Sequence, residues 1–241
     1  DNKTDTLFWV GCQTTFDDRS KKSAVKLVEI LSRCGVDLAI LGKNESCCGD
    51  PFRRLGNEFQ FQSAAKKNIE LLKKLRFRRI VTYCPHCYNT LKNEYSQLGG
   101  DFEVVHYSEV FSELIHKGKL KLKETSKTKV VYHDPCYLAR GNDLTNGHDV
   151  LQALPGVTSL PLEQSGSKTF CCGGGGGAMW MRESGNEKIN ELRVKQLVVD
   201  EPEIIATSCP YCIVMLDDGI SSLGLEKVEC KDLIELVDEK F

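Results

Sequence analysis

No stretch of this chain is apolar for long enough to cross a bilayer, which takes ~20 consecutive residues. Its polar start, Asp1-Asn2-Lys3-Thr4-Asp5, lacks the apolar core of a secretory signal. An excess of one charge is missing too: 32 Lys and Arg stand against 34 Asp and Glu, a net charge of −2. With no basic stripe, a nucleic-acid footprint is excluded. Ferredoxin-type C-x2-C-x2-C runs are also absent, so the usual cubane-cluster ligand pattern is not encoded. Cysteine, by contrast, is abundant, with twelve in 241 residues. A disulfide framework is a poor reading of them, because a chain this long needs no covalent staples and nothing marks it for export. Reduced thiols in a cytoplasmic, reducing compartment are the expectation.

Ten of the twelve cysteines repeat one pattern. Cys12, Cys47, Cys48, Cys84 and Cys87 read C-x34-CC-x35-C-x2-C, and Cys136, Cys171, Cys172, Cys209 and Cys212 read C-x34-CC-x36-C-x2-C. Corresponding positions are offset by 124 residues and then by 125. Such a register predicts two domains, each bringing five thiols to one place. A structural zinc site needs four ligands. Five suit a multinuclear iron–sulfur cluster in which one sulfur bridges two irons, whereas zinc on four thiolates with the fifth idle is the competing reading.

Strand and helix signals alternate in both halves. In the first, strands are expected at 7–10, 36–41, 80–83 and 103–106, and helices at 22–33, 57–75, 88–98 and 108–116, the last capped by Ser108. The second repeats the plan, with strands at 130–132, 157–162, 204–207 and 227–230 and helices at 149–154, 187–199 and 233–237. This predicts an α/β fold of two tandem Rossmann-like domains with parallel sheets, related by a pseudo-twofold axis. The domains are expected at 1–118 and 130–241, joined by a Lys-rich linker at 119–129. Every cysteine of the repeat then follows the carboxyl end of a strand, where ligands bind in open α/β folds.

Several neighbours of the thiols carry expectations of their own. Gly49, and Gly173, Gly174 and Gly175 at the head of a five-glycine run, give the backbone close approach to a bound group. Pro85 and Pro210 stiffen the Cys-Pro-x-Cys turns. His86 faces solvent, relays a proton or hydrogen-bonds a thiolate. Met179, Trp180 and Met181 are expected to shield the second site from water. Arg53, Arg54, Arg140 and Arg182 lie close enough to the cysteine loops to meet an anionic substrate or an acidic partner. By the 124-residue offset Cys230 aligns with His106 and Cys34 has no counterpart, so both read as thiols outside the sites.

The repeated Cys…Cys-Cys-Gly…Cys-x-x-Cys arrangement, with the stretches 84–95 and 171–177, resembles the cysteine-rich CCG domains of heterodisulfide reductase catalytic subunits and related iron–sulfur oxidoreductases. It is most similar to the membrane-associated, heterodisulfide-reductase-like branch. The resemblance implies one noncubane 4Fe-4S cluster on each five-cysteine set, with zinc in the first site as a lesser variant. It also implies electron transfer between a flavin or iron–sulfur donor and a thiol/disulfide or quinone pathway. Implied donors are a ferredoxin-like protein or a flavoprotein such as electron-transfer flavoprotein, with a membrane haem or quinone-reducing partner beyond. Relatives commonly carry a ferredoxin-like segment and some a haem domain. This sequence contains neither, so electrons are expected from a partner or another part of the polypeptide, and the chain is expected in the cytoplasm, peripheral to the membrane.

Overall fold

The structure, a computed structural model, describes residues 4–124, 126–181 and 187–241. Its first half runs β1 (Thr6–Trp9), α1 (Cys12–Phe16), α2 (Asp18–Arg33), β2 (Leu38–Ile40), α3 (Asp50–Arg54), α4 (Glu58–Leu72), β3 (Arg79–Thr82), α5 (Pro85–Asn89), β4 (Val104–His106) and α6 (Tyr107–His116). The second runs β5 (Thr128–Tyr132), α7 (Cys136–Asn142), α8 (Asn146–Ala153), β6 (Val157–Ser159), α9 (Ile189–Leu197), β7 (Ile204–Thr207), α10 (Pro210–Ser222), β8 (Glu229–Asp232) and α11 (Leu233–Asp238). Two compact units result, Asp1–Val110 and Phe111–Phe241, and the division falls inside α6, ahead of the lysine-rich stretch.

Each unit holds one four-stranded sheet, ordered β2-β1-β3-β4 and β6-β5-β7-β8, with every pairing parallel. The protein is therefore α/β with two similar halves. Every residue of β1, β3 and β7 is buried, the polar Thr6, Arg79, Thr82 and Thr207 included, as helices on both faces require. In this order the chain crosses from β1 to β2 on one side and on to β3 on the other. The loops leaving β1 and β3 therefore part from each other, opening a crevice at the carboxyl ends of the strands. Cys12 and Cys84 leave those two strands, as Cys136 and Cys209 leave β5 and β7.

The helices depart from expectation at four places. Asp17 caps α2 by accepting from the Ser20 N–H, so that helix begins at Asp18 rather than Lys22. The single helix expected at 88–98 is three segments: α5, a π turn over Thr90–Glu94 and a 3-10 turn over Tyr95–Leu98. The wide turn brings Glu94 and Tyr95, adjacent in sequence, both to the interior. Ser108 does not cap α6. Instead Glu109 reaches back to the His106 N–H at 2.7 Å, while Ser108 Oγ bonds the His106 ring. Finally, α10 has no counterpart among the expected helices, because its apolar run 211–216 shows no helical period. It is covered by α9, which approaches Gly219 so closely that a Cβ there would lie 2.9 Å from Val194.

Candidate metal centre

The first thiol set is assembled by the turn out of β1. Gly11, at φ 85°, swings the chain into α1 and leaves Cys12 at the head of that helix. Glu45 holds the turn by accepting from the N–H groups of Val10 at 3.0 Å and Gly11 at 2.6 Å. A Cβ on Gly11 would stand 3.3 Å from Cys87 Sγ, so a larger residue would crowd the thiols. Pro85 opens α5, where its missing N–H costs nothing, and places Cys84 before the helix and Cys87 in its first turn. Cys12 Sγ lies 3.7 Å from Cys47 Sγ and Cys87 Sγ 3.5 Å from Cys48 Sγ. Cys47 also adjoins Cys48, and Cys84 adjoins Cys87. The five thiols thus form one unbroken run, Cys12–Cys47–Cys48–Cys87–Cys84. Asn68 donates to the Cys47 carbonyl and Tyr95 to the Cys48 carbonyl, pinning the adjacent pair.

The second set repeats this run as Cys136–Cys171–Cys172–Cys212–Cys209, with Cys172 and Cys212 Sγ 3.3 Å apart. In both, the glycine after the pair takes a left-handed conformation and turns its N–H back onto sulfur: Gly49 (φ 96°) to Cys47 at 3.4 Å, Gly173 (φ 92°) to Cys171 at 3.2 Å. In both, the first cysteine and the first of the pair are partly exposed while the other three are buried. The supports differ. Asp134 takes over the work of Glu45, accepting from Ser165 Oγ at 2.8 Å and the Gly166 N–H at 2.9 Å and pairing with His148 Nε2 at 2.8 Å. His133 is fully buried, with its ring, Cys172 and Cys212 offering donor atoms within 4.8 Å of one another. A cavity of about 520 Å³, lined by Arg140, Gln164, Lys168 and Phe170 among others, opens against Cys171.

Electrostatics single out one sulfur per set. The hydrogen bond from Cys12, then that from Cys48, draws Cys47 down to about 3, and the bond from Cys136 leads in drawing Cys171 down to about 2. Cys12, Cys48 and Cys87 are pushed up, each chiefly by its bond to a neighbouring thiol, and so are Cys136, Cys172 and Cys212. Among these eight thiols, protein groups alone therefore favour ionisation only of Cys47 and Cys171. Ionising all five would need concentrated positive charge among them, which a thiolate-bound metal group supplies. The donor set fits such a group: none of the twelve cysteines is in a disulfide, ten stand in the two runs, and a backbone N–H faces the ionised sulfur of each. Burial pushes His133 down to about 3, so its ring is neutral.

The residues around the thiols correct several expectations. His86 does not face solvent; it is buried, with Nδ1 2.9 Å from Asp50 Oδ2. Arg53 and Arg54 hold the loop together rather than awaiting an anion: Arg53 pairs with Glu94 at 3.1 Å and lies over the Phe61 ring, while Arg54 pairs with Asp50 at 3.0 Å and with Glu94. Arg140 does border the cavity at Cys171. Arg182 lies outside the described residues. Trp180 and Met181 shield little, being 60% and 57% exposed, although the Trp180 ring meets Tyr211 edge-on. A Cβ on Gly174 would strike Met215 and one on Gly173 would press on Ile189, so these glycines clear the flanking helices. Gly175 opens a 3-10 turn. Sheet register pairs Cys230 with Ile205 as Val104 pairs with Ile80, which makes Asp232, not Cys230, the counterpart of His106. Cys34 and Cys230 are both buried. The parts played by Glu45, Gly11, His133 and Arg193 emerge only from the structure; of these, only the φ-permissive Gly11 beside Cys12 leaves a sequence signal.

Two parallel α/β units, each gathering five thiols at its strand ends, define a tandem cysteine-rich protein suited to a thiolate-bound metal group. The chain belongs to the CCG cysteine-rich domain family, which matches residues 6–92 and again 130–217. It is 42% identical over 233 residues to the probable iron-sulfur-binding oxidoreductase FadF of Bacillus subtilis (strain 168), covering 96% of this chain and 33% of that protein. It is 40% identical over 229 residues to the EtfAB:quinone oxidoreductase of Syntrophomonas wolfei subsp. wolfei, covering 92% and 32%. With one polypeptide of the dihydromethanophenazine:CoB–CoM heterodisulfide reductase of Methanosarcina mazei it shares 31% over 246 residues, covering 99% and 59%. The chain spans about a third of the length of the first two relatives.

Proposed function

We propose that each half holds one noncubane 4Fe-4S cluster, on Cys12, Cys47, Cys48, Cys84 and Cys87 in the first and on Cys136, Cys171, Cys172, Cys209 and Cys212 in the second. The chain is then the redox part of a heterodisulfide-reductase-like iron–sulfur oxidoreductase. The observation that carries this reading is the unbroken run of five thiols in each half. Tetrahedral zinc would use four and leave one idle. Bound there, such clusters supply reversible one-electron steps.

The chain's own residues hold and screen the site. Gly49 and Gly173 donate N–H groups to thiolate sulfur, and the buried cysteines of each set keep their side of it dry. Cys12 with Cys47, and Cys136 with Cys171, form the rim where a redox partner makes contact. Arg140 and Lys168 outnumber Glu163 in the lining of the cavity at Cys171, a balance suited to the anionic end of a disulfide or thiol. One relative is named for EtfAB and quinone and another for a CoB–CoM heterodisulfide, which supports a flavoprotein or ferredoxin-like donor and a thiol/disulfide, haem or quinone acceptor. No helix among the described residues is long and apolar enough to cross a membrane, so any membrane contact runs through a partner or another part of the polypeptide.

Anaerobic purification with iron, sulfide and zinc analysis tests this. About eight irons per chain, with an EPR spectrum unlike that of cubane clusters, is the expected result. Zinc without acid-labile sulfide would overturn it in favour of a zinc-stabilised docking module.

A further inference from the structure

Trp9 and His133 occupy the same step of the repeat, 124 residues apart as Cys12 and Cys136 are, and three residues ahead of those cysteines. Both are fully buried at the carboxyl end of the first strand of their sheets. Each carries a ring nitrogen that finds no hydrogen-bond partner among the described residues, Nε1 of Trp9 and Nε2 of His133. Buried polar groups are nearly always paired, so an orphan at the same step of both halves points to an acceptor supplied by something bound.

At His133 the identity of the orphan group follows from its neighbour. Arg193 Nε donates to His133 Nδ1 at 3.0 Å. A guanidinium has donors only, so Nδ1 offers its lone pair and the ring proton sits on Nε2. Arg193 is itself buried and held by Gln196 Oε1 at 3.0 Å and the Gln164 carbonyl at 3.1 Å, which leaves the ring little freedom to flip or change tautomer. His133, Cys172 and Cys212 offer donor atoms within 4.8 Å of one another. With the Nδ1 lone pair taken by Arg193, the ring has none left for a metal, and Nε2–H is the one group it can offer to sulfur.

We infer that His133 donates a hydrogen bond from Nε2 to sulfur of the group bound at the second centre, beside Cys172 and Cys212, with Arg193 as the positioning residue that fixes its tautomer. The inference rests on the reading of each half as an iron–sulfur site. A hydrogen bond to sulfur draws charge away from it and favours the reduced state, so this pair raises the potential of the second centre. In the first half the indole N–H of Trp9 stands at the same step and needs no partner to fix its proton, because indole nitrogen only donates.

The test uses the full chain, loaded anaerobically and labelled with 15N-histidine. Pulsed EPR in ordinary and heavy water should show a weakly coupled histidine nitrogen together with an exchangeable proton. His133→Phe should lose both and shift the midpoint potential of one centre downward. His133→Gln, which keeps an N–H donor, should lose the histidine signal yet recover much of the potential. Wild-type protein that carries clusters but shows no histidine coupling overturns the inference and needs no variant to fold. A coupling strong enough for a direct iron–nitrogen bond also overturns it, as does an unchanged potential in folded, loaded His133→Phe. Absence of any iron–sulfur signal would instead refute the proposed function.

Discussion

Gly49 does two things that no other residue type does at once: it holds φ at 96° and it leaves room for Phe61, whose Cδ2 would lie 2.9 Å from a Cβ. Gly49→Ala is expected to cost about 1–3 kcal/mol, read as a lower urea midpoint. Gly42 also has positive φ, at 56°, but faces open space; Gly42→Ala isolates the backbone component and should cost only about 1 kcal/mol. His148 gives a pH signature. Its hydrogen bond to Asp134 raises the imidazole from its ordinary 6.5. The folded state therefore binds that proton more tightly, so the pair's stabilisation is complete below 6.5 and is lost as pH rises through the folded value. The stability advantage of wild type over His148→Gln should accordingly shrink as pH rises above 6.5.

At the scale of elements, the two capping arrangements at the last strand of each sheet explain one another. His106 with Glu109 and Asp232 with Glu235 share the reach-back from side chain to strand-end N–H, at 2.7 and 2.8 Å, and Asp232 completes a full capping box on α11. Asp232→Ala should cost about 1 kcal/mol, visible as a lower melting temperature with unchanged iron content. The equivalence was hidden in sequence because the offset between halves grows from 124 at the first cysteines to 125 at the Cys-Pro-x-Cys turns and 126 at these strands. The inner strands β1, β3, β5 and β7 were legible because each is a short, mostly apolar run that leads to a cysteine. Helix ends were less so: the continuous apolar run 211–216 masks the buried stripe of α10, and the π turn at Thr90–Glu94 answers to where Glu94 and Tyr95 must point. The thiols announced themselves by residue type and spacing. Their supports did not, since Glu45 meets Gly11 across 34 residues and Arg193 meets His133 across 60, through side chains ordinary in any loop or helix.

At the scale of the whole molecule, no strand of one sheet is borrowed by the other: the first uses residues 6–106 and the second 128–232. Loss of one thiol set should therefore leave the other intact. Cys171→Ser is expected to lower the iron content to about half while preserving the spectrum of the first centre. Loss of the whole iron content would show that the halves load together. The same separation bears on synthesis. A growing polypeptide contains Cys87, the last thiol of the first set, and then β4, before the ribosome has made any of β5. Delivery of iron and sulfur can follow translation in that order, so that the nascent chain sorts five thiols at a time and never ten at once.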